Sequence, residues 1–180
     1  MSRYVAFLRA INVGGHTVTM ATLRRLFEES GGSEVETVVA SGNVVFASAS
    51  RSAAALEKRL SNHLEESLGY AVAAFVRTPA EVAAVAARRP FPALDAARDF
   101  GVYVGFLHRE PDRAARRRVL GLATPEDALA LHGRELYWGR RGRFSDSRIT
   151  GAAIERALGA PTTIRNTTTI RRIAERYSSP

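Results

Sequence analysis

Between Tyr4 and Arg77 the chain switches repeatedly between two hydrophobic periods, and the order of those switches restricts the fold more than any single motif does. Tyr4 to Leu8 is an apolar run of strand length. Met20, Leu23, Leu26 and Phe27 then recur at helical spacing, with Thr19 placed to cap the start and Gly31-Gly32 to stop the end. In VETVVASGNVVFAS two β-branched runs flank Ser41-Gly42-Asn43, the chemistry of a tight hairpin. Leu56, Leu60, Leu64 and Leu68 form an i, i+4 stripe closed by Gly69, and VAAFVRT is a further strand that Pro79 ends. The order is β-α-β-β-α-β, that of a ferredoxin-like unit, and a short helix from Glu81 to Arg88 follows it.

The second half repeats this order. FGVYVGFLH predicts a strand, Arg113 to Leu120 a helix, LALHGRELYW a hairpin turning at Gly133, Ile149 to Leu158 a helix, TTIRN a short strand and Thr167 to Tyr177 a closing helix. ATPEDA and RRGRFSDS, rich in charge and turn formers, read as loops. The expected fold is α+β: two ferredoxin-like βαββαβ subdomains, each with an extra closing helix, packed together. Residues 1–90 and 91–180 are the expected subdomains, divided at ARRPFP. The repetition is one of element order, with almost no residue-level identity between the halves. In the first strand Tyr4, Ala6 and Leu8 alternate with Val5 and Phe7, so both faces are apolar. Helices cover one face, and the other is expected to pack on the second half or on another copy of the chain, as in a homodimer.

Topology places a candidate site. In this fold the turn after the first strand and the hairpin between the second and third strands lie on one edge of the sheet. Arg9, Asn12, Gly14 and Gly15 of RAINVGG therefore meet Ser41, Gly42 and Asn43 there, beside the start of the first helix with its unpaired N–H groups. This set suits an anion. It equally suits a turn in which the asparagines satisfy the backbone and the glycines let the chain reverse. Arg165-Asn166 offers the same pair of readings: an Arg holding an anion against the last helix, with Asn166 or Thr167 as its cap, or an Arg tied up in a structural pair.

Other chemistry is sparse. There is no cysteine, which excludes disulfides, thiolate catalysis and Cys-based metal sites. His16, His63, His108 and His132 have no metal-ligand spacing, and neither a GxxxxGK[ST] nor a GxGxxG loop occurs, so no metal and no cofactor are expected. Glu28-Glu29, Glu65-Glu66 and Glu126-Asp127 read as solvated faces. Tyr103, Phe106, Tyr137 and Trp138 lie on predicted strands where RNA-binding relatives of this fold stack bases, but the surrounding residues do not match that signature and core packing is the favoured reading. The N-terminal apolar run is short and broken by Arg9, so a cytoplasmic chain with no membrane span is expected.

Net charge is +8, and it is unevenly spread: residues 1–90 carry 10 basic against 8 acidic side chains, and residues 91–180 carry 16 against 10. A basic second half favours a phosphorylated small molecule or a nucleic-acid backbone as partner.

MSRYVAFLRAINVGGHTVTMATLRRLFEESG, TVVASGNVVFAS and TTIRNTTTIRRIAE together resemble the bacterial family called domain of unknown function 1697, over nearly the whole chain. Arg9, Asn12, Gly14, Gly15, Ser41, Gly42, Asn43, Arg165 and Asn166 fall on its motif positions. Ala10 stands where that family usually has Gly, and Thr167 where an aromatic is common. The resemblance implies a duplicated ferredoxin-like fold and brings no activity with it. The expectation is thus a cytosolic binding protein for a phosphorylated ligand or nucleic-acid backbone. The alternatives are a small phosphate-ester or acyl-phosphate hydrolase, with Arg9 as clamp and Asn43 orienting water, and a non-enzymatic interaction module.

Overall fold

The computed structural model describes residues 1–38, 42–94 and 99–177. Its elements run β1 (Ser2–Arg9), α1 (Met20–Glu29), β2 (Ser33–Thr37), β3 (Asn43–Ser48), α2 (Ala53–Leu68), β4 (Ala73–Arg77) and α3 (Pro79–Ala87), then β5 (Phe100–Phe106), α4 (Arg113–Leu120), β6 (Asp127–His132), β7 (Glu135–Arg141), α5 (Gly151–Leu158), β8 (Thr163–Asn166) and α6 (Thr167–Tyr177). The strands form two antiparallel four-stranded sheets, β2-β3-β1-β4 and β6-β7-β5-β8, which is the ferredoxin-like order twice over. Two compact units result, one of Met1–Ala84 together with the chain from Arg172 onward, the other of Val85–Arg171.

Local chemistry accounts for the element ends. Thr19, Ser52, Asp112 and Thr150 each accept a backbone N–H three residues on, and so cap α1, α2, α4 and α5. Gly69 and Gly159 end α2 and α5 in the left-handed conformation. In the first unit Tyr4, Ala6 and Leu8 of β1 pack with Leu23, Leu26 and Phe27 of α1 and Leu56, Leu60 and Leu64 of α2. Val5, Phe7, Val45 and Phe75, on the opposite face, are also buried. In the second unit Leu107, Leu136 and Trp138 pack with Val119 of α4 and Ile154, Ala157 and Leu158 of α5.

Two readings of the second half need correction. Asp127 is 1% exposed, not part of a solvated face, and the ATPEDA stretch that contains it already enters β6 there. The arginines that open RRGRFSDS belong to β7, and its Phe144 stacks on Tyr103 at 3.9 Å between ring centroids and meets Trp138 edge-on at 4.6 Å. The cause is one carboxylate. Asp127 accepts hydrogen bonds from Trp138 Nε1 (2.8 Å), Ser147 Oγ (2.9 Å), Thr124 Oγ1 (3.1 Å) and Arg140 Nη1 (2.6 Å), and so pins the loop after β7 to the sheet. Phe106, Tyr137 and Trp138 are core residues, buried to 2% or less, as expected of packing rather than base stacking. Among the described residues no helix is long and apolar enough to cross a membrane.

Candidate functional site

The edge predicted from topology forms. Leu8 N donates to the Gly42 carbonyl at 2.9 Å, which joins the end of β1 to the hairpin before β3. Gly42 has φ +75°, and a Cβ there would lie 2.8 Å from Ile11 Cγ2, so the position requires glycine for both conformation and space. Gly14 and Gly15 have φ +61° and +85° with open space around them, so conformation alone selects them. Ser41 lies outside the described residues.

The asparagine amides of this edge serve the fold. Asn12 Oδ1 accepts from Val18 N at 2.8 Å and closes the loop on itself. Asn43 is fully buried and donates from Nδ2 to the Val38 carbonyl at 3.0 Å. Tyr70, just beyond α2, donates its hydroxyl to the Ile11 carbonyl at 2.7 Å and stacks on His16 at 4.3 Å. Burial pushes its phenol above the usual tyrosine value. Arg9 is half-buried at the last register pair of β1, opposite Ala73.

One residue in the loop is strained. Ala10 takes φ +64°, a conformation that costs an L side chain about 1–2 kcal/mol, at the position where glycine would sit freely. Replacing Ala10 with Gly is expected to raise stability in urea denaturation by about 0.5–1 kcal/mol, the released strain less the extra chain entropy of glycine.

Arg165 and Asn166 belong to the other unit. Asn166 Oδ1 accepts from Thr169 N at 2.8 Å and is the cap of α6. Arg165 is 9% exposed, and its Nη1 donates to Thr163 Oγ1 (2.8 Å) and to the Ile164 carbonyl (2.9 Å). Burial pushes its guanidinium down to about 10, which leaves it cationic at neutral pH.

The ladders expose a correspondence that the bare sequence concealed. Val5 pairs with Arg77 in the first sheet as Val104 pairs with Arg165 in the second. In that register YVAFL matches YVGFL, and VRTPAEV matches IRNTTTI. Arg77 is fully buried, where its counterpart is 9% exposed, and also turns Nη1 onto the carbonyl of the residue before it, at 2.9 Å. The following cap differs. Glu81 Oε2 accepts from Thr78 N at 2.8 Å while Glu81 N donates to Thr78 Oγ1 at 3.2 Å, a reciprocal box that sets a carboxylate on the start of α3. Thr169 occupies the matching position on α6, so no carboxylate is supplied from there.

A cleft of about 560 Å³ opens beside that helix start. Arg88, Arg89, Arg171, Thr167 and Thr168 line it, with Phe100 to Val102 of β5. The ladder between β5 and β8 ends at Tyr103 opposite Asn166. Leu107 N donates to the Arg134 carbonyl, on the β7 side, so by alternation the peptide groups of Phe100 and Val102 turn the other way, towards the cleft. Arg88 Nη2 donates to His132 Nε2 at 2.8 Å, and the guanidinium also bonds to the Tyr137 hydroxyl. Burial, with Glu135 nearby, pushes that phenol up to about 12, so it stays neutral. Sequence reading passed over these arginines, because Arg88 and Arg89 sit in a stretch that looks like a linker and Arg171 in an ordinary exposed turn of helix.

Across the full chain, the fold matches a solved structure described as that of conserved bacterial protein SP0830 from Streptococcus pneumoniae, with a TM-score of 0.74, 25% identity and 99% of each chain covered. No curated protein matches. The model of the family described as a protein of unknown function, DUF1697, matches residues 1–137, which hold the Arg9 loop, the Gly42-Asn43 turn and the whole first repeat. The chain belongs to that family.

Proposed function

We propose that this chain binds a phosphorylated small ligand in the arginine-lined cleft of its second unit. The observation that carries the reading is the presence of Arg88, Arg89 and Arg171 together in the lining of one cleft of about 560 Å³. Guanidinium groups match phosphate oxygens in number and direction, and charge-assisted hydrogen bonds of this type are about twice as strong as neutral ones. The volume falls within the roughly 300–1,000 Å³ of small-ligand pockets, which favours a small molecule over a long polyanion lying across a flat surface. Thr167 and Thr168 add hydroxyl donors, and the Phe100 and Val102 peptides add a hydrogen-bonding edge for the remainder of the ligand. The basic excess of residues 91–180 steers anions to this half.

Isothermal titration of the full chain with inorganic phosphate and a panel of phosphomonoesters tests the reading. Arg171→Ala is expected to weaken binding by about ten- to a hundredfold, since a lost hydrogen bond to a charged group is worth roughly 1.5–3 kcal/mol. Equal affinity in the parent and in a folded Arg88→Ala/Arg171→Ala double variant would reject the cleft. The hydrolase alternative needs Asn43 to orient water, whereas one of its amide hydrogens is committed to the Val38 carbonyl.

A further inference from the structure

We infer that the ligand of this cleft is a nucleotide, its phosphate beside Thr167, Thr168 and Arg171 and the Watson–Crick edge of its base on the open peptide groups of β5. This rests on the cleft reading above and names the part of the ligand beyond the phosphate. β5 runs from Phe100 to Phe106, but β8 pairs with it only from Tyr103 to Phe106. After Asn166 the chain enters α6 and leaves the sheet. On the other side β7 follows β5 to its first residue, and Gly142 N donates to the Asp99 carbonyl at 2.7 Å. Bonds to β7 therefore fall on Asp99, Gly101 and the alternate residues after them, and Phe100 and Val102 turn N–H and C=O to the side that β8 has left. Among the described residues no loop or helix bonds to those groups. Both residues are half-buried and line the cleft, where unpaired peptide groups are costly until something meets them.

The open edge selects its partner. A donor and an acceptor that point the same way from one residue are met by an acceptor and a donor side by side on one edge. Every nucleobase carries such a pair on its Watson–Crick edge. A single trans amide does not, because its N–H and C=O point to opposite sides. Sugar hydroxyls also meet the pair, but they leave Ala86, Ala87 and Pro90 of the same lining without an apolar partner, which the face of a flat base supplies. The register orders the ligand along the strand. Continued past Tyr103 and Asn166 it sets Val102 opposite Thr167, so a phosphate beside Thr167 lies nearest Val102. Phe100 is two residues farther along, about 6.6 Å, which leaves room for a sugar between phosphate and base. The ring of Phe100 is engaged elsewhere, edge-on to Phe91 at 5.9 Å and over Gly139, so its peptide is what meets the base.

Titration calorimetry of the full chain compares the four nucleoside 5′-monophosphates with ribose 5-phosphate and glucose 6-phosphate. The best nucleotide is expected to bind about tenfold more tightly than either sugar phosphate, and the same nucleotide methylated so that no N–H remains on its Watson–Crick edge to fall back to the level of ribose 5-phosphate. Two variants test the strand. Phe100→Pro removes the peptide N–H at the first residue of a strand, where proline is tolerated, and Phe100→Ala removes the same ring but keeps the N–H. Relative to the alanine variant, the proline variant is expected to lose roughly two- to tenfold in nucleotide affinity and nothing in ribose 5-phosphate affinity, the latter showing that it is folded. Sugar phosphates that bind as tightly as every nucleotide, or a methylated base that keeps full affinity, would overturn the nucleotide and leave the cleft standing, as would equal nucleotide affinity in a folded proline variant and the alanine variant. Failure of the parent to bind any of these phosphates would instead remove the cleft, and this inference with it.

Discussion

Asp127→Ala is expected to unfold the second unit's edge and cost about 3–5 kcal/mol. The carboxylate is 1% exposed and accepts from four side chains, among them the Arg140 guanidinium at 2.6 Å. Truncation leaves Arg140, itself 9% exposed, without its charged partner and Trp138 Nε1 without its acceptor. Asp127→Asn keeps an oxygen for Trp138 and loses only the ion pair, so it should fall between alanine and the parent. The pH dependence follows from the same group. Burial alone would push this carboxyl up, but the bonds from Trp138, Ser147, Thr124 and Arg140 together outweigh it and hold it below the usual aspartate value. A carboxyl lowered in the folded state contributes stability that is complete above the unfolded pKa, about 3.9, and is lost as pH falls through the lower folded value. Urea denaturation at pH 7 and at pH 3 should show this loss in the parent and its absence in Asp127→Asn. A cost below 1 kcal/mol for alanine would show that the four bonds do not act as one anchor.

Secondary structure was readable wherever local chemistry decides it. Thr19 and the Leu56–Leu68 stripe mark their helices because caps and apolar periodicity act over a few residues. The sheet edge that unites Leu8 with Gly42 was also readable, since strand order alone forces it. Asp127 was not, because Trp138, Arg140 and Ser147 lie 11 to 20 residues away and nothing near the carboxylate in sequence announces them. The cleft failed to appear for the same reason. Arg88 and Arg171 stand 83 positions apart, and only the ladder from β5 to β8 brings the start of α6 beside Phe100 to Val102. The family motif drew attention to residues that hold turns and caps, as Asn12, Asn43 and Asn166 now show.

Glu57→Ala is expected to destabilise the first unit by about 3–5 kcal/mol, and substitution of Arg77 by Met in the same chain should recover a large part of that loss. Glu57 is 5% exposed, and its Oε1 accepts from Val76 N at 2.9 Å and lies 3.4 Å from Arg77 Nη1. Removing the carboxylate strands a fully buried cation, and removing the cation as well relieves it. A double-mutant cycle in urea separates that coupling from the loss of the bond to Val76. Additive single effects would mean that Arg77 is held by its other contacts, the Val76 carbonyl among them, and not by Glu57. The result bears on the site too, because the repeat is its own control. Arg77 recurs as Arg165 at the same register, with the same bond to the preceding carbonyl, so an arginine at the end of the fourth strand belongs to the fold of both units. Arg171 has no such counterpart: Ala83 stands at its place in the first repeat, where Glu81 already covers the helix start. A charge that both repeats keep serves architecture, and a charge that only one of them carries, on a cleft from which the matching carboxylate is missing, is the one to test against a ligand.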